Sequence, residues 1–143
     1  MQVEIKRLDN SLPLPEYKTD GAVGVDLYLR ENWVVPPRQA VALPMNVIIK
    51  IPAGYMLAVL PRSSLIKKYG LISPHGFGVI DQDYHGPEDE IKLLVYNVTD
   101  QPINLQKGER LGQAVFVKIE KVEWQEIFDD LRSESRGGFG STG

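Results

Sequence analysis

The segment Gly78-Val79-Ile80-Asp81-Gln82-Asp83-Tyr84-His85-Gly86 sets a carboxylate just past an apolar run, with a tyrosine three positions later and glycines on both flanks. Read as a hairpin, it aims an acid and an aromatic face into one place, and its glycines let another group approach the backbone closely. An ordinary polar turn between two strands accounts for the same residues, so this segment alone assigns no chemistry.

Four further segments carry reactive or anion-binding residue types. Pro61-Arg62-Ser63-Ser64-Leu65 places a guanidinium fork and two hydroxyls ahead of a short helical pattern, where unpaired amides and a partial positive charge suit a phosphate. A capped helix beside a surface arginine is the plainer reading. Gly140-Ser141-Thr142-Gly143, with Phe139 and Arg136 before it, offers amides that can wrap phosphate oxygens, an aromatic face for a base and a neutralising cation. A disordered tail has the same composition. In Gly21-Ala22-Val23-Gly24-Val25-Asp26-Leu27, Asp26 opens a strand after two glycines and can orient a basic residue, orient a metal-bound water, or serve a turn. Gly108-Glu109-Arg110-Leu111-Gly112-Gln113 reads as a turn entering a strand. There Gln113 can hold a water or a phosphate oxygen, and Glu109 and Arg110 are expected as a surface ion pair.

The elements that must position these residues are mostly strands. Ten prolines and thirteen glycines punctuate short apolar runs. Strands are expected at an N-terminal edge near Val3–Leu8, then at Val25–Leu29, Gln39–Leu43, Val47–Ile51, Tyr55–Leu60, Glu90–Asn97 and Ala114–Glu123. In the last, Val115, Val117 and Ile119 share one face. Ser63–Gly70 is the one helix signal, with serine N-cap candidates, basic residues in its last turn and a glycine stop. Many short strands at this spacing predict an all-β, antiparallel barrel or jelly roll. We expect one domain over 1–132 and a flexible tail over 133–143.

With 143 residues and 43% hydrophobic content, the chain can bury a sizeable core. A net charge of −3 gives no basic footprint for a nucleic-acid backbone. The absence of cysteine excludes disulfides, thiolate zinc sites and the zinc-dependent base deaminase pattern. No run approaches a membrane span and the N-terminus does not read as a signal peptide, so a soluble, cytoplasmic protein is expected.

Taken in order, the five segments resemble the five motifs of the homotrimeric dUTPase family, from about Ala22 to Gly143. Pro-Arg-Ser-Ser, Gly-Val-Ile-Asp-x-Asp-Tyr-x-Gly and Gly-Phe-Gly-Ser-Thr-Gly are the discriminating strings. The resemblance implies a jelly-roll β-clip subunit, a threefold trimer with shared active sites, and hydrolysis of dUTP to dUMP and pyrophosphate. That activity limits uracil in DNA and supplies dUMP for dTMP synthesis. It implies Mg²⁺ held mainly by the substrate phosphates, with Asp26 reaching the ion through water. Asp81 matches the general base, and Tyr84 the residue under the deoxyribose that excludes a 2′-hydroxyl. The stretch His75, Gly76, Val79 and Ile80 matches the backbone that reads uracil. Arg62, Ser63 and Ser64 match phosphate-binding positions, and Gln113 the glutamine near the α-phosphate. Phe139 matches the aromatic that closes over uracil, while Arg136, Gly140, Ser141 and Thr142 match the tail's phosphate clamp.

Three departures stand out. The family's tail arginine lies five residues before the phenylalanine, where this chain has Glu134, and Arg136 is only three before it. His75 stands where relatives carry an amide. Pro87-Glu88-Asp89-Glu90 reads as an altered hairpin loop that sets three carboxylates at the surface near the site. Two alternatives share the fold: a non-catalytic nucleotide-binding or regulatory trimer, and a dCTP deaminase, whose relatives carry a glutamate where this chain keeps the Asp81 and Tyr84 pattern.

Overall fold

The computed structural model describes residues 1–131 together with Glu134 and Gly137. Eleven short strands and one helix follow in order: β1 Ile5–Arg7, β2 Val25–Tyr28, β3 Trp33–Val35, β4 Ala40–Pro44, β5 Val47–Ile49, β6 Tyr55–Pro61, α1 Leu65–Tyr69, β7 Leu71–Ile72, β8 Gly78–Ile80, β9 Lys92–Asn97, β10 Ile103–Leu105 and β11 Arg110–Lys118. Every pairing is antiparallel. The hydrogen bonding divides into four sheets, β1-β5, β10-β3, β2-β11-β6-β8 and β4-β9-β7, that enclose one core without closing into a continuous barrel. Leu27, Leu43, Leu57, Leu93, Leu105 and Leu111 are fully buried at its centre. The all-β jelly-roll expectation holds. No helix among the described residues is long and apolar enough to cross a membrane.

The expected strands appear within a few residues, apart from the last. β11 starts at Arg110 rather than Ala114, because it pairs along both β2 and β6, and it ends at Lys118. Beyond Ile119, whose amide bonds the Gly54 carbonyl at 2.9 Å, the chain has no ladder to extend. β3, β7 and β10 were not expected; each is too short for its apolar pattern to show a period.

The helix is one turn and a half, and its N-cap differs from expectation. Ser64 occupies the cap with helical dihedrals and makes no side-chain cap bond. The glycine stop is as expected: Gly70 has φ 67° and its amide bonds the Ile66 carbonyl.

The expected hairpins around Asp81 are not two-stranded ribbons. β7 pairs with β9 and β8 pairs with β6, so Ser73–Phe77 is a corner between sheets. The Gly76 amide closes it on the Ser73 carbonyl at 3.2 Å, with Gly76 at φ 80°. After Ile80 the chain runs through successive turns to β9.

Those turns also correct the reading of the acidic loop. Asp89 accepts the Gly86 amide at 2.6 Å. Glu90 is buried and accepts both the Arg30 Nε (2.9 Å) and the Asn46 amide (2.8 Å). Asn46, at φ 68°, clasps Asp9 through both ends of its side-chain amide. Only Glu88 of the three carboxylates is an ordinary surface charge. Glu90 thereby ties the start of β9 to the β4–β5 turn and the N-terminal segment. Replacing it (Glu90→Ala) strands a guanidinium and a buried amide, so urea unfolding should show a loss of about 3 kcal/mol.

Candidate active site

The four-stranded sheet has an inner and an outer face, and register assigns its residues to them. Ala114 lies beside Val59 and Gly78, and Phe116 beside Leu57 and Ile80; these rows face the core. The alternate rows face outward: Asp26, Gln113 and Leu60; then Val115, Ala58 and Val79; then Val117 and Met56, with Asp81 following Ile80. Val115 and Val117 do share a face, but it is the outer one, and Val79 remains 55% exposed there.

Strict alternation along β11 would send Arg110 and Gln113 to opposite faces. A bulge prevents this: Arg110 pairs with Tyr28 and Gly112 with Leu27, so one step on β2 spans two on β11. Leu111 and Gly112 both turn inward, and Arg110 emerges beside Gln113 and Asp26. Gly112 fits tightly there, since a Cβ would lie 3.2 Å from Leu93 Cδ2 and 3.3 Å from the Leu60 carbonyl oxygen.

The result is a cluster of cations around one carboxylate. Asp26 is buried and lies between two arginines, with Arg110 Nη1 at 2.9 Å from one carboxylate oxygen and Arg62 Nη1 at 3.5 Å from the other. Asp26 thus orients two basic residues, one of the roles expected of it. Glu109 does not pair with Arg110; it accepts the Tyr69 hydroxyl (2.7 Å) and the Gln106 amide (3.0 Å) and lies 3.6 Å from Lys68. Gln113 donates weakly to the Pro61 carbonyl at 3.5 Å, and Gly24 fits closely against its Oε1. Lys18, Gly24, Asp26, Ser63, Arg110 and Gln113 line a cavity of ≈ 250 Å³, with Arg62 on its wall.

Asp81 belongs to a different cavity of ≈ 420 Å³, shared with Tyr55, Met56, Gln82, Asp83, His85 and Lys121. Gln82 pins the turn by donating to the Tyr55 carbonyl at 2.9 Å. Tyr84 packs its ring on the core and its hydroxyl donates to the Glu90 carbonyl at 3.3 Å. Burial, aided by Asp89 and Glu90, pushes its phenol above the ordinary value. His75 is exposed at the corner, 3.2 Å from the Ser73 hydroxyl. β8, carrying Val79 and Ile80, is the edge of its sheet, so among the described residues one side of its backbone has no strand partner.

One chain does not bring these halves together. Asp81 follows the Ile80–Leu57 pair and Gln113 faces Leu60; at about 3.3 Å per residue and 4.8 Å per strand, their Cα atoms lie about 16 Å apart and those of Asp81 and Asp26 about 20 Å. Arg136, Phe139, Gly140, Ser141 and Thr142 lie outside the described residues. Lys18 and Lys68 were not expected as site residues from sequence, and Arg110 was expected only as the partner of Glu109. Among the described residues no group of three or more His, Cys, Asp or Glu forms a metal cage. With both oxygens of Asp26 facing arginines, the donor set suits an ion carried in by phosphates.

The dUTPase family model matches residues 10–143. A deoxyuridine 5'-triphosphate nucleotidohydrolase of Hydrogenobaculum sp. (strain Y04AAS1) is 39% identical over 147 residues, covering 100% of this chain and 99% of that protein. One from Wolbachia pipientis subsp. Culex pipiens (strain wPip) is 35% identical over 150 residues, covering 100% and 96%. The crystal structure of a dUTPase from Streptococcus mutans superposes with a TM-score of 0.77 at 30% identity, over 84% of this chain and 98% of that one.

Because a Cβ on residue 24 would sit 2.9 Å from Gln113 Oε1, Gly24→Ala should swing the Gln113 amide out of the cavity. Its side-chain NH₂ signals should move in ¹⁵N–¹H spectra while unfolding free energy changes by less than about 1 kcal/mol, since the displaced group is the end of a flexible side chain.

Proposed function

The chain belongs to the dUTPase family, and on that premise we propose that it hydrolyses dUTP to dUMP and pyrophosphate by attack of water on the α-phosphorus. The observation that carries the reading is the distribution of chemistry on one sheet face. An arginine-flanked anion cavity stands at one end, and a carboxylate beside a free backbone edge and a fixed aromatic ring at the other.

Uracil is read by the open edge of β8 and the corner before it, from His75 and Gly76 to Val79 and Ile80. Backbone donors and acceptors there complement its polar edge and leave cytosine mismatched. The Tyr84 ring, held by its hydroxyl bond to Glu90, lies under the deoxyribose and leaves no space for a 2′-hydroxyl. Arg62, Ser63 and Ser64 bind the phosphates, Gln113 orients the water, and Asp81 takes its proton as the oxygen–phosphorus bond forms and the bond to the bridging oxygen breaks. Mg²⁺, when bound through the phosphates, supplies charge neutralisation, and Asp26 is the carboxylate placed to meet its water shell. The resemblance assigns Phe139, Arg136, Gly140, Ser141 and Thr142, which lie outside the described residues, to closing over the reacting groups, a role that would exclude water from them.

The separation of Asp81 from Asp26 within one chain supports a homotrimer in which neighbours complete each other's sites. The row Val115, Ala58 and Val79 runs between the two halves, and its apolar outer surface suits a second copy. A nucleotide-binding trimer without turnover has no need to set Asp81 and Gln113 on the same face, so hydrolysis is the favoured reading.

Pyrophosphate release should be Mg²⁺-dependent and favour dUTP over UTP, dCTP and dTTP by about 10²-fold or more. Asp81→Asn should retain dUTP binding while kcat falls about 10³-fold; near-normal turnover would remove Asp81 as the base. Val115→Glu should convert the trimer to monomers in sedimentation and abolish turnover, with the secondary structure retained in far-UV circular dichroism.

A further inference from the structure

The Tyr84 hydroxyl is held by one peptide group. It donates to the Glu90 carbonyl at 3.3 Å, and the N–H of that same peptide unit, on Ile91, donates to the Val47 carbonyl at 2.8 Å. The Glu90 side chain closes a second bond one residue away, its carboxylate accepting the Asn46 amide at 2.8 Å. Residues 90 and 91 are thus clamped onto 46 and 47 at two points. The carboxylate is buried and meets the Arg30 Nε at 2.9 Å. Arg30 is itself tied to the end of β4, its amide donating to the Pro44 carbonyl at 3.0 Å. Asp81 is held by a separate device, the Gln82 bond to the Tyr55 carbonyl at 2.9 Å.

We propose that Arg30 and Glu90 are positioning residues for Tyr84, and that their buried pair sets how strongly the site prefers a deoxyribose over a ribose. The assignment rests on the function proposed above, in which the Tyr84 ring lies under the sugar. An apolar wall rejects an added hydroxyl by only about 10²-fold even when well packed, so its stiffness matters. The phenol keeps the proton it donates, because burial pushes it above its ordinary value. The pair acts through the peptide. A buried carboxylate deprived of its guanidinium turns toward water, which frees the Asn46 amide and loosens the carbonyl that Tyr84 bonds. The ring then gains room to move aside for a 2′-hydroxyl, while the Asp81 turn keeps its own anchor.

Calorimetric titration of the full chain with the α,β-imido analogues of dUTP and UTP, whose bridging N–H resists cleavage, reads this preference without turnover. Arg30→Met should cut the preference for the deoxy analogue about tenfold, the worth of about one hydrogen bond. Its kcat on dUTP should stay within about twofold of the wild type, since Asp81 is held separately. Arg30→Lys should restore most of the preference. Tyr84→Phe should give a similar loss, and the double variant no more than either alone, because both act on one wall. If Arg30→Met does not fold, Glu90→Gln, which keeps an acceptor for the Asn46 amide and needs no cation, should show a smaller loss in the same direction. A preference that stays at the wild-type ratio, whether or not both affinities fall, overturns the positioning role, as does a double variant that loses both increments in full. An Arg30-dependent preference in a protein that released no pyrophosphate from dUTP would leave the role standing and remove the reaction, so the two readings fail separately.

Discussion

The anion site depends on one irregularity in one strand. β11 has to bury Leu111 and Gly112 in succession, and the bulge that allows this turns Arg110 to the face that already carries Gln113 and Asp26. The same step crowds residue 112: a Cβ there would press on Leu93 and the Leu60 carbonyl at 3.2 and 3.3 Å. Without the bulge, Asp26 would keep only Arg62 at 3.5 Å, a buried carboxylate facing one loosely placed cation. With it, a salt-bridged pair holds both guanidiniums at the mouth of a cavity, where their remaining donors are available to a ligand.

The rigid spacing of the sheet sets the second constraint. Strands β2, β11, β6 and β8 are fixed side by side by long ladders, so the distance between Asp26 and Asp81 cannot close by side-chain motion. A chain with this register either leaves its two functional ends independent or uses them with different partners. Apolar side chains share the outward face with these ends, and Val79 and Val117 are 55% and 39% exposed on it.

Much of this was legible in the sequence where the signal is local. Strand positions followed from apolar runs bounded by Pro and Gly, and the helix stop from Gly70, because those effects act within a few residues. What stayed hidden depends on pairing. Arg110 was read as a partner of Glu109, its neighbour, because no local pattern announces a bulge; Glu109 instead turns to Tyr69, forty residues away. Gly78–Gly86 looked like a hairpin because its flanking glycines signal a reversal without saying that β8 and β9 join different sheets. Glu90 looked like a surface charge because its partners, Arg30 and Asn46, are 60 and 44 positions distant.

That last error bears on how an acidic protein attracts a polyanion. A net charge of −3 with three loop carboxylates near the site would raise a barrier to a triphosphate. The fold removes it by pairing. Glu90 is neutralised by Arg30, and Asp89 is turned onto the Gly86 amide. Meanwhile Lys18, Arg62, Lys68 and Arg110 are gathered around two cavities that share Arg62 and Arg110, against only Asp26 and Glu109. The local balance at these cavities is positive, whatever the sign of the whole. Field lines in a cleft follow the nearest charges with low-dielectric walls behind them, so this local excess favours an anion there over the repulsion of the distant carboxylates.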